Sequence, residues 1–404
     1  MALPRPEFDP EEFVEKEIEE IRGVLGSNRA LIAVSGGVDS CTCAALVHLA
    51  IGDNLLCTIL DDAFMREREP EGVAEMLARP PLKLPIKILN VRERFLTEMR
   101  ELRDAEEKRK VFRETFYRVL SETAHREGIE FLVQGTILAD IVETAGGVKT
   151  QHNVLSQIGI SPKEHFGFHV VEPLKTLFKG QVREVARRLG LPKEISERQP
   201  FPGPGLSVRV VGEIRRDKLE SLKRATGIAE DKLTKYSPSQ YFAIIMDNRD
   251  MLRSTLNSEL ESVSAEYFGV SPGQVEARVF EDKATGIREG KRVYGEVAAV
   301  RVVESRGHIH QSTVLDLTGL QAQIMSERRY LARLFYLIRE RDQPGPYVVA
   351  VRAIQTDDFL TAKVADVPWS ALNQIAEGVL KECDDVSAVY YDVTPKPPAT
   401  VEME

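Results

Sequence analysis

The chain has 404 residues, of which 43% are hydrophobic and 29% charged, and a formal net charge of -9. That length exceeds one ordinary domain and predicts two or three, each able to bury a core. The acidic balance argues against a dominant nucleic-acid footprint, and Cys41, Cys43, Cys57 and Cys383 show neither metal nor disulfide spacing, so they read as small core residues.

Val14, Ile18, Ile21 and Leu25 fall at helical spacing among glutamates, which predicts an amphipathic first helix closed by Gly26. The apolar run 30–34 then leads into SGGVDS, Ser35 to Ser40. A strand, two glycines and the start of a helix form a setting for phosphate. The glycines let the backbone approach a ligand, and the first helical amides attract an anion. Ser35, Gly36, Gly37, Val38, Asp39 and Ser40 are therefore candidate phosphate-binding residues. The Walker pattern needs a lysine that this loop lacks. Asp39 stands there instead, and an acid beside a phosphate cradle suits a magnesium ion between them. A plain glycine turn capped by Ser and Asp is the competing reading.

Cys43 to Ala50 continue a helix that is apolar nearly all round, followed by strands predicted at 54–62 and 86–91. A long helical pattern covers 106–127, and further strands are predicted at 131–136, including Gln134, Gly135 and Thr136, and at 169–174. Val182, Val185, Ala186 and Leu189 mark another helix. Strands alternating with helices predict a parallel sheet, whose ligands bind beyond the carboxyl ends of the strands. SGGVDS, Asp61, Asp62 and QGT then share one rim.

Residues 138–168 form a polar, glycine-containing connection with Asp140, Glu143, Lys149, Thr150, His152 and Asn153. Both a lid over a nucleotide and a solvated surface loop fit it. RQPFPGPGLSVRVVGE, residues 198–213, is stiffened by its prolines and marks a boundary near residue 206. A rigid linker explains Pro202 and Gly203 but not Arg198.

Beyond it the pattern predicts an α+β domain over 207–404. GKRVYGEVAAVRVVES and PGPYVVAVRAIQT resemble each other, each placing an aromatic before an apolar strand that ends at an arginine, Arg301 or Arg352. A partial internal duplication is expected. The chain closes on a strand and a proline-rich tail carrying Lys396, Val401 and Glu402, which fits either a stiff arm to a site or an exposed end. No stretch is long and apolar enough to span a bilayer, and the N-terminus lacks a signal-peptide core, so a cytoplasmic protein is expected.

SGGVDS, EEKRK, LVQGT, DIVET, KTQHNV, VEPLK, RQPFPGPGL and KPPATVEME together resemble the ATP pyrophosphatase part of the GMP synthase family. The resemblance implies a parallel-sheet α/β PP-loop domain of the adenine-nucleotide α-hydrolase type, then an α+β dimerisation domain with an insertion or duplication at 249–344. It implies that the xanthine carbonyl of XMP attacks the α-phosphate of ATP, expelling pyrophosphate, and that ammonia then displaces AMP to give GMP. Carried over, Ser35 to Ser40, with Gln134, Gly135 and Thr136, hold ATP, its pyrophosphate and magnesium. Asp140, Glu143, Lys149, His152 and Asn153 form the lid, and Arg198, Pro202, Gly203, Gln240, Lys396, Val401 and Glu402 hold XMP. It also implies a homodimer and, since no cysteine sits in a nucleophile's turn, a separate glutamine amidotransferase subunit or free ammonia. The chain departs from the family's pattern at Gln151, Ala63 and Arg113 and in residues 249–344. Adenylation of another carbonyl by the same loop, or nucleotide binding without turnover in a regulatory subunit, remain the alternatives.

Overall fold

The computed structural model describes residues 8–145, 161–251, 254–304, 307–357 and 360–404. The fold divides into two compact units, residues 1–98 with 110–203 and residues 99–109 with 204–404. The second unit thus takes in 99–109 as well as the C-terminal half.

In the first unit, α1 (Pro10–Leu25) starts where the Asp9 carboxylate accepts from the Glu11 and Glu12 amides, with proline in the first helical position. It ends at Gly26, whose φ of 55° is open to glycine at little cost. The chain continues through β1 (Ala30–Ala33), α2 (Val38–Ile51), β2 (Leu55–Asp61), α3 (Glu69–Ala78), β3 (Ile86–Asn90), α4 (Arg92–Glu98), α5 (Ala105–Glu127, of which 110–127 belong to this unit), β4 (Phe131–Val133), α6 (Leu138–Ala145), α7 (Pro162–Phe166), β5 (His169–Val171), α8 (Lys179–Arg188) and α9 (Lys193–Ser196). The five strands pair in parallel in the order β3-β2-β1-β4-β5. β4 and β5 are shorter than the sequence predicts because pairing stops where the chain turns to form the rim. The core carries Ile32, Leu46, Ile59, Val133 and Val185 together with Cys41, Cys43 and Cys57. All four cysteines are buried and free, as packing residues should be.

This order fixes the functional end of the sheet. The chain leaves β1 toward β2 and β3 on one side, then returns to place β4 on the other, so the strand order reverses beside β1. Open sheets bind their ligands at such a reversal, beyond the carboxyl ends of the strands.

The second unit contains α10 (Arg216–Leu233), β6 (Gln240–Asp247), α11 (Ser254–Phe268), β7 (Val275–Arg288), β8 (Lys291–Val302), α12 (Val314–Glu327), β9 (Leu331–Glu340), β10 (Tyr347–Gln355), β11 (Lys363–Val364), α13 (Trp369–Glu382) and β12 (Val386–Asp392). Its sheet runs β6-β10-β12-β9-β8-β7, with β11 on the edge of β10. Two copies of one pattern build it. In each, a helix and a strand are followed by an antiparallel strand, a crossover helix and a strand parallel to the second. One copy is α10, β6, β10, α13 and β12; the other, α11, β7, β8, α12 and β9, is inserted between β6 and β10 of the first.

The registers carry the repeat to single residues. Val297, Ala298, Ala299 and Val300 lie beside Arg333, Leu334, Phe335 and Tyr336. Val348, Val349, Ala350 and Val351 lie in the same way beside Ala388, Val389, Tyr390 and Tyr391. Each ladder is broken at the same place, before Val297 and before Val348. The helices repeat too: α10 packs on β6 and α13, and α11 on β7 and α12. The expected partial duplication is therefore a full one at the level of topology, and the insertion falls at a hairpin tip. In the inserted copy that tip is closed by Glu289 and Gly290, both at positive φ, the backbone of a tight two-residue hairpin turn.

Candidate active site

The residues of SGGVDS bind one another. Ser40 Oγ accepts from the Ser35 amide at 3.1 Å, lies 3.0 Å from Ser35 Oγ and donates to Gly37 O at 3.2 Å. Gly36, at φ 77°, makes the turn, and a Cβ there would meet Val73 at 2.8 Å and Arg198 Nη1 at 3.3 Å. Only glycine suits both the backbone and the space. Gly37 caps α2 without any side chain to bond the first amides, and Asp39 stands in the first turn. A helix N-terminus capped by glycine at the mouth of a parallel sheet is an anion site.

Asp39 is not alone. Lys179 Nζ donates to both of its carboxylate oxygens, at 2.9 and 2.7 Å. Burial raises the Asp39 pKa, Lys179 pulls it down and the nearby Asp140 raises it again. The lysine missing from the loop is thus supplied by the first residue of α8. Sequence reasoning passed over it, yet a signal was there, since a cation at a helix N-terminus opposes the helix dipole and calls for a facing anion.

From the opposite side of the switch point, Gly135 closes on the same turn. A Cβ at Gly135 would stand 3.0 Å from both Asp39 C and Ser40 N. Gln134 is anchored by its amide to Val171 O at 2.9 Å, and Thr136 is buried. Asp140, on α6, accepts from the Ile137 amide at 3.1 Å.

Arg198 also reaches this end. Its Nη2 lies 2.6 Å from the buried Glu69, which holds the Arg66 amide as well, and the Arg66 guanidinium sits 4.1 Å from the centre of the Phe201 ring. Arg66 and Glu69, neither singled out in the sequence, thus fix the stretch around Pro202 and Gly203. At the ends of β2, Asp61 takes two bonds from Arg92 Nε, and Asp62 accepts from the Phe64 amide. Both acids of the expected rim serve local structure. Lys149, Thr150, Gln151, His152 and Asn153 lie outside the described residues, as does the Glu143 side chain. A separate cavity of about 300 Å³, lined by residues including Val14, His48 and Arg188, contains none of the candidate site residues.

In the second unit, Gln240 meets Glu402 of the C-terminal tail, which also carries Lys396 and Val401. The Glu402 carboxylate receives Arg209 Nε and Nη2 at 2.9 and 3.0 Å and Gln240 Nε2 at 3.2 Å. Arg209 lies 3.9 Å over the Phe242 ring. The backbone of Lys396 pairs with Ala362 in both directions, and Val401 O accepts from Arg352 Nε at 2.9 Å. Beyond them Glu404 pairs with the buried Lys108 of KRK, which also donates to Val210 O at 2.7 Å. EEKRK and the tail, distant in sequence, therefore meet.

Among the described residues no group of three or more His, Cys, Asp or Glu could hold a metal ion, and no helix is long and apolar enough to cross a membrane. A single carboxylate fits magnesium only where substrate phosphates complete the ligand set, which is the ion's usual manner of binding.

Residues 9–206 match the NAD synthase family, and residues 338–403 match the GMP synthase C terminal domain. Three relatives, each one of the subunits of a glutamine-hydrolyzing GMP synthase, align over 98% of this chain and over their own whole length. The sequence is 38% identical to that of Sulfurisphaera tokodaii, 40% to that of Saccharolobus solfataricus and 38% to that of Methanopyrus kandleri. An NMN synthetase from Francisella tularensis aligns at a TM-score of 0.38 and 19% identity, covering 50% of this chain and 79% of that one, too distant to carry an argument.

Proposed function

The chain belongs to the family of GMP synthase B subunits, and we propose that its parallel-sheet unit activates XMP with ATP while its C-terminal tail recognises XMP. It is an ATP-dependent carbon-nitrogen ligase of GMP synthesis. Adenylation of a different carbonyl, or binding without turnover, is not favoured by relatives that match it end to end.

The observation that carries the assignment of roles is the pairing of Asp39 with Lys179 across a glycine-capped helix start. In the proposed reaction the carbonyl oxygen at C2 of XMP bonds to the α-phosphorus of ATP, and the bond to pyrophosphate breaks. The electron pair leaves on pyrophosphate. Amides at the start of α2, the hydroxyls of Ser35 and Ser40 and the charge of Lys179 stabilise that growing charge. Asp39 would hold a magnesium ion, which would supply neutralisation of phosphate charge. Ammonia then attacks C2, AMP leaves and GMP results.

Lys396 suits the XMP phosphate, and Glu402, its carboxylate aimed by Arg209 and Gln240, suits the N–H edge of the purine. Arg198, Pro202 and Gly203 complete the proposed set on the first unit, with Gln134, Gly135 and Thr136 beside the nucleotide. Lys149, Asp140, Glu143 and His152 are the proposed lid residues. The ammonia comes from a separate glutamine amidotransferase subunit, in keeping with relatives that are each one of several subunits of a glutamine-hydrolyzing enzyme. The proposed site of action is the cytoplasm.

The test is purified protein with ATP, magnesium, ammonium and XMP, followed by pyrophosphate and GMP. Both should form. Asp39→Ala should remove pyrophosphate release, and Lys396→Ala should raise the KM for XMP far more than that for ATP. GMP formation undiminished by Asp39→Ala would discard the loop assignment.

A further inference from the structure

Gln134, the residue that follows β4, is held from three sides. Its amide donates to Val171 O on β5 at 2.9 Å, and its carbonyl accepts from the Cys43 thiol on α2 at 3.5 Å. Its side-chain Nε2 donates to the hydroxyl of Tyr117 on α5. Burial raises the pKa of both Cys43 and Tyr117, so at neutral pH the two partners stay a thiol and an uncharged phenol. A thiol is a weak donor. The Tyr117 bond is therefore the stronger of the two that reach Gln134 from outside the sheet.

Tyr117 is itself immobilised. It is buried, its ring stacks on Phe166 with centroids 5.2 Å apart and planes 27° from parallel, and Phe116 meets it edge-on at 5.5 Å. One turn further along α5, Ser121 Oγ donates to Phe166 O at 2.9 Å, so one face of the helix grips α7 twice. The ring fills an apolar seat and aims its one polar atom at Gln134.

The consequence falls on the next residue. Gly135 lies against the first turn of α2, where a Cβ would stand 3.0 Å from both Asp39 C and Ser40 N. That turn carries the amides of the anion site and the carboxylate that Lys179 grips. Backbones packed this closely have no slack, so a shift of the step from Gln134 to Gly135 passes into the loop.

We propose that Tyr117 is a positioning residue for the ATP half of the reaction: its hydroxyl fixes Gln134, and through Gln134 and Gly135 it sets the loop that takes the phosphates. The proposal rests on the assignment of that loop to ATP. Tyr117 acts through other residues and needs no contact with a substrate.

Tyr117→Phe keeps the ring and removes the hydroxyl, stranding a buried side-chain amide. Tm should fall by about 3 °C. In the ligand-free chain, exchange of the Gln134 and Cys41 amides, which are bonded to Val171 O and Gly37 O, should quicken about tenfold. The kcat/KM for ATP should drop about tenfold while the KM for XMP moves by less than about twofold. Gln134→Met closes a double-mutant cycle. In that background Tyr117→Phe should cost no further activity, since the group that the hydroxyl holds is gone, and should raise Tm because no polar group is left stranded. An equal loss of activity in both backgrounds would show that the hydroxyl acts by another route and would overturn the proposal. A lower Tm with exchange at Gln134 and Cys41 unchanged refutes positioning whatever the loop binds, and so do equal losses for ATP and XMP. If exchange quickens but ATP use is unmoved in both Tyr117→Phe and Asp39→Ala, the loop's assignment to ATP fails and the link from Tyr117 to the loop stands. ATP use disturbed by Asp39→Ala alone removes Tyr117 from positioning.

Discussion

Gly135→Ala tests the joint between β4 and the phosphate loop with a single methyl group. Its Cβ would lie 3.0 Å from Asp39 C and Ser40 N and 3.2 Å from Asp39 O. These are backbone atoms of the first turn of α2, which no rotamer change can clear. Carbon contacts relax near 3.5–4.0 Å, so the turn must retreat by about 0.5 Å. Overpacking costs ~1–3 kcal/mol, and alanine returns ~0.4–1 kcal/mol by restricting the unfolded chain, leaving a net loss of about 1 kcal/mol. Activity should suffer more than stability. A 1 Å misplacement of reacting groups costs ~100-fold, and half of that displacement about tenfold in kcat/KM for ATP. The assay is pyrophosphate release with XMP and ammonium saturating, beside a thermal melt. Unimpaired turnover at an unchanged Tm would refute the claim that Gly135 sets the position of Asp39.

Lys179→Met should lower pyrophosphate release about 100-fold, the scale of one lost transition-state donor. The Asp39 pKa, already raised by burial, should rise further once its cation is gone, so the acid limb of the pH profile moves to higher pH; an unmoved limb would separate Lys179 from Asp39. Glu17 on α1 has its pKa pushed up to about 7 from 4.5, chiefly by burial and then by Glu20. Its folded form keeps the proton that the unfolded chain releases, so its contribution is intact below about 4.5 and lost as pH rises through about 7. Glu17→Gln should therefore stabilise the protein at pH 8 by about 1 kcal/mol after allowance for solvent screening, raising Tm by ~2–4 °C, with no gain at pH 4.5. Equal melting shifts at both pH values would exclude this origin.

Local signals carried the first unit well, because a strand, a glycine turn and an apolar helix are written within about twenty residues of one another. SGGVDS, Gly26 and the helix expected over 106–127 follow from spacing alone. What spacing could not give was pairing across the chain. Lys179 is separated from Asp39 by 140 residues, and Glu69 meets Arg198 only after the sheet has formed. The duplication was visible as two arginine-ended strands, but its nesting was not. An insertion at a hairpin tip leaves no mark in hydrophobic period, and only the matched registers of β8 with β9 and β10 with β12 reveal it. The tail read as either a stiff arm or an exposed end; it is bedded on Thr285, Arg333 and Arg352, whose roles depend on a sheet that brings distant strands together.

The placement of the inserted copy also bears on the order in which the unit assembles. Asp247 and Tyr347 are paired residues of one ladder, yet all of α11, β7, β8, α12 and β9 lies between them in the chain. Closing that span while it is unfolded costs roughly 3 kcal/mol more than closing a short hairpin. Once the inserted strands have found their neighbours, several of which adjoin in sequence, the ends of the span are drawn together and the penalty falls. The inserted copy is thus expected to form ahead of the β6–β10 ladder and to template it, with the tail closing last. A destabilising change in β7 or β8 should then slow refolding of the whole unit, whereas one in the tail should mainly speed its opening.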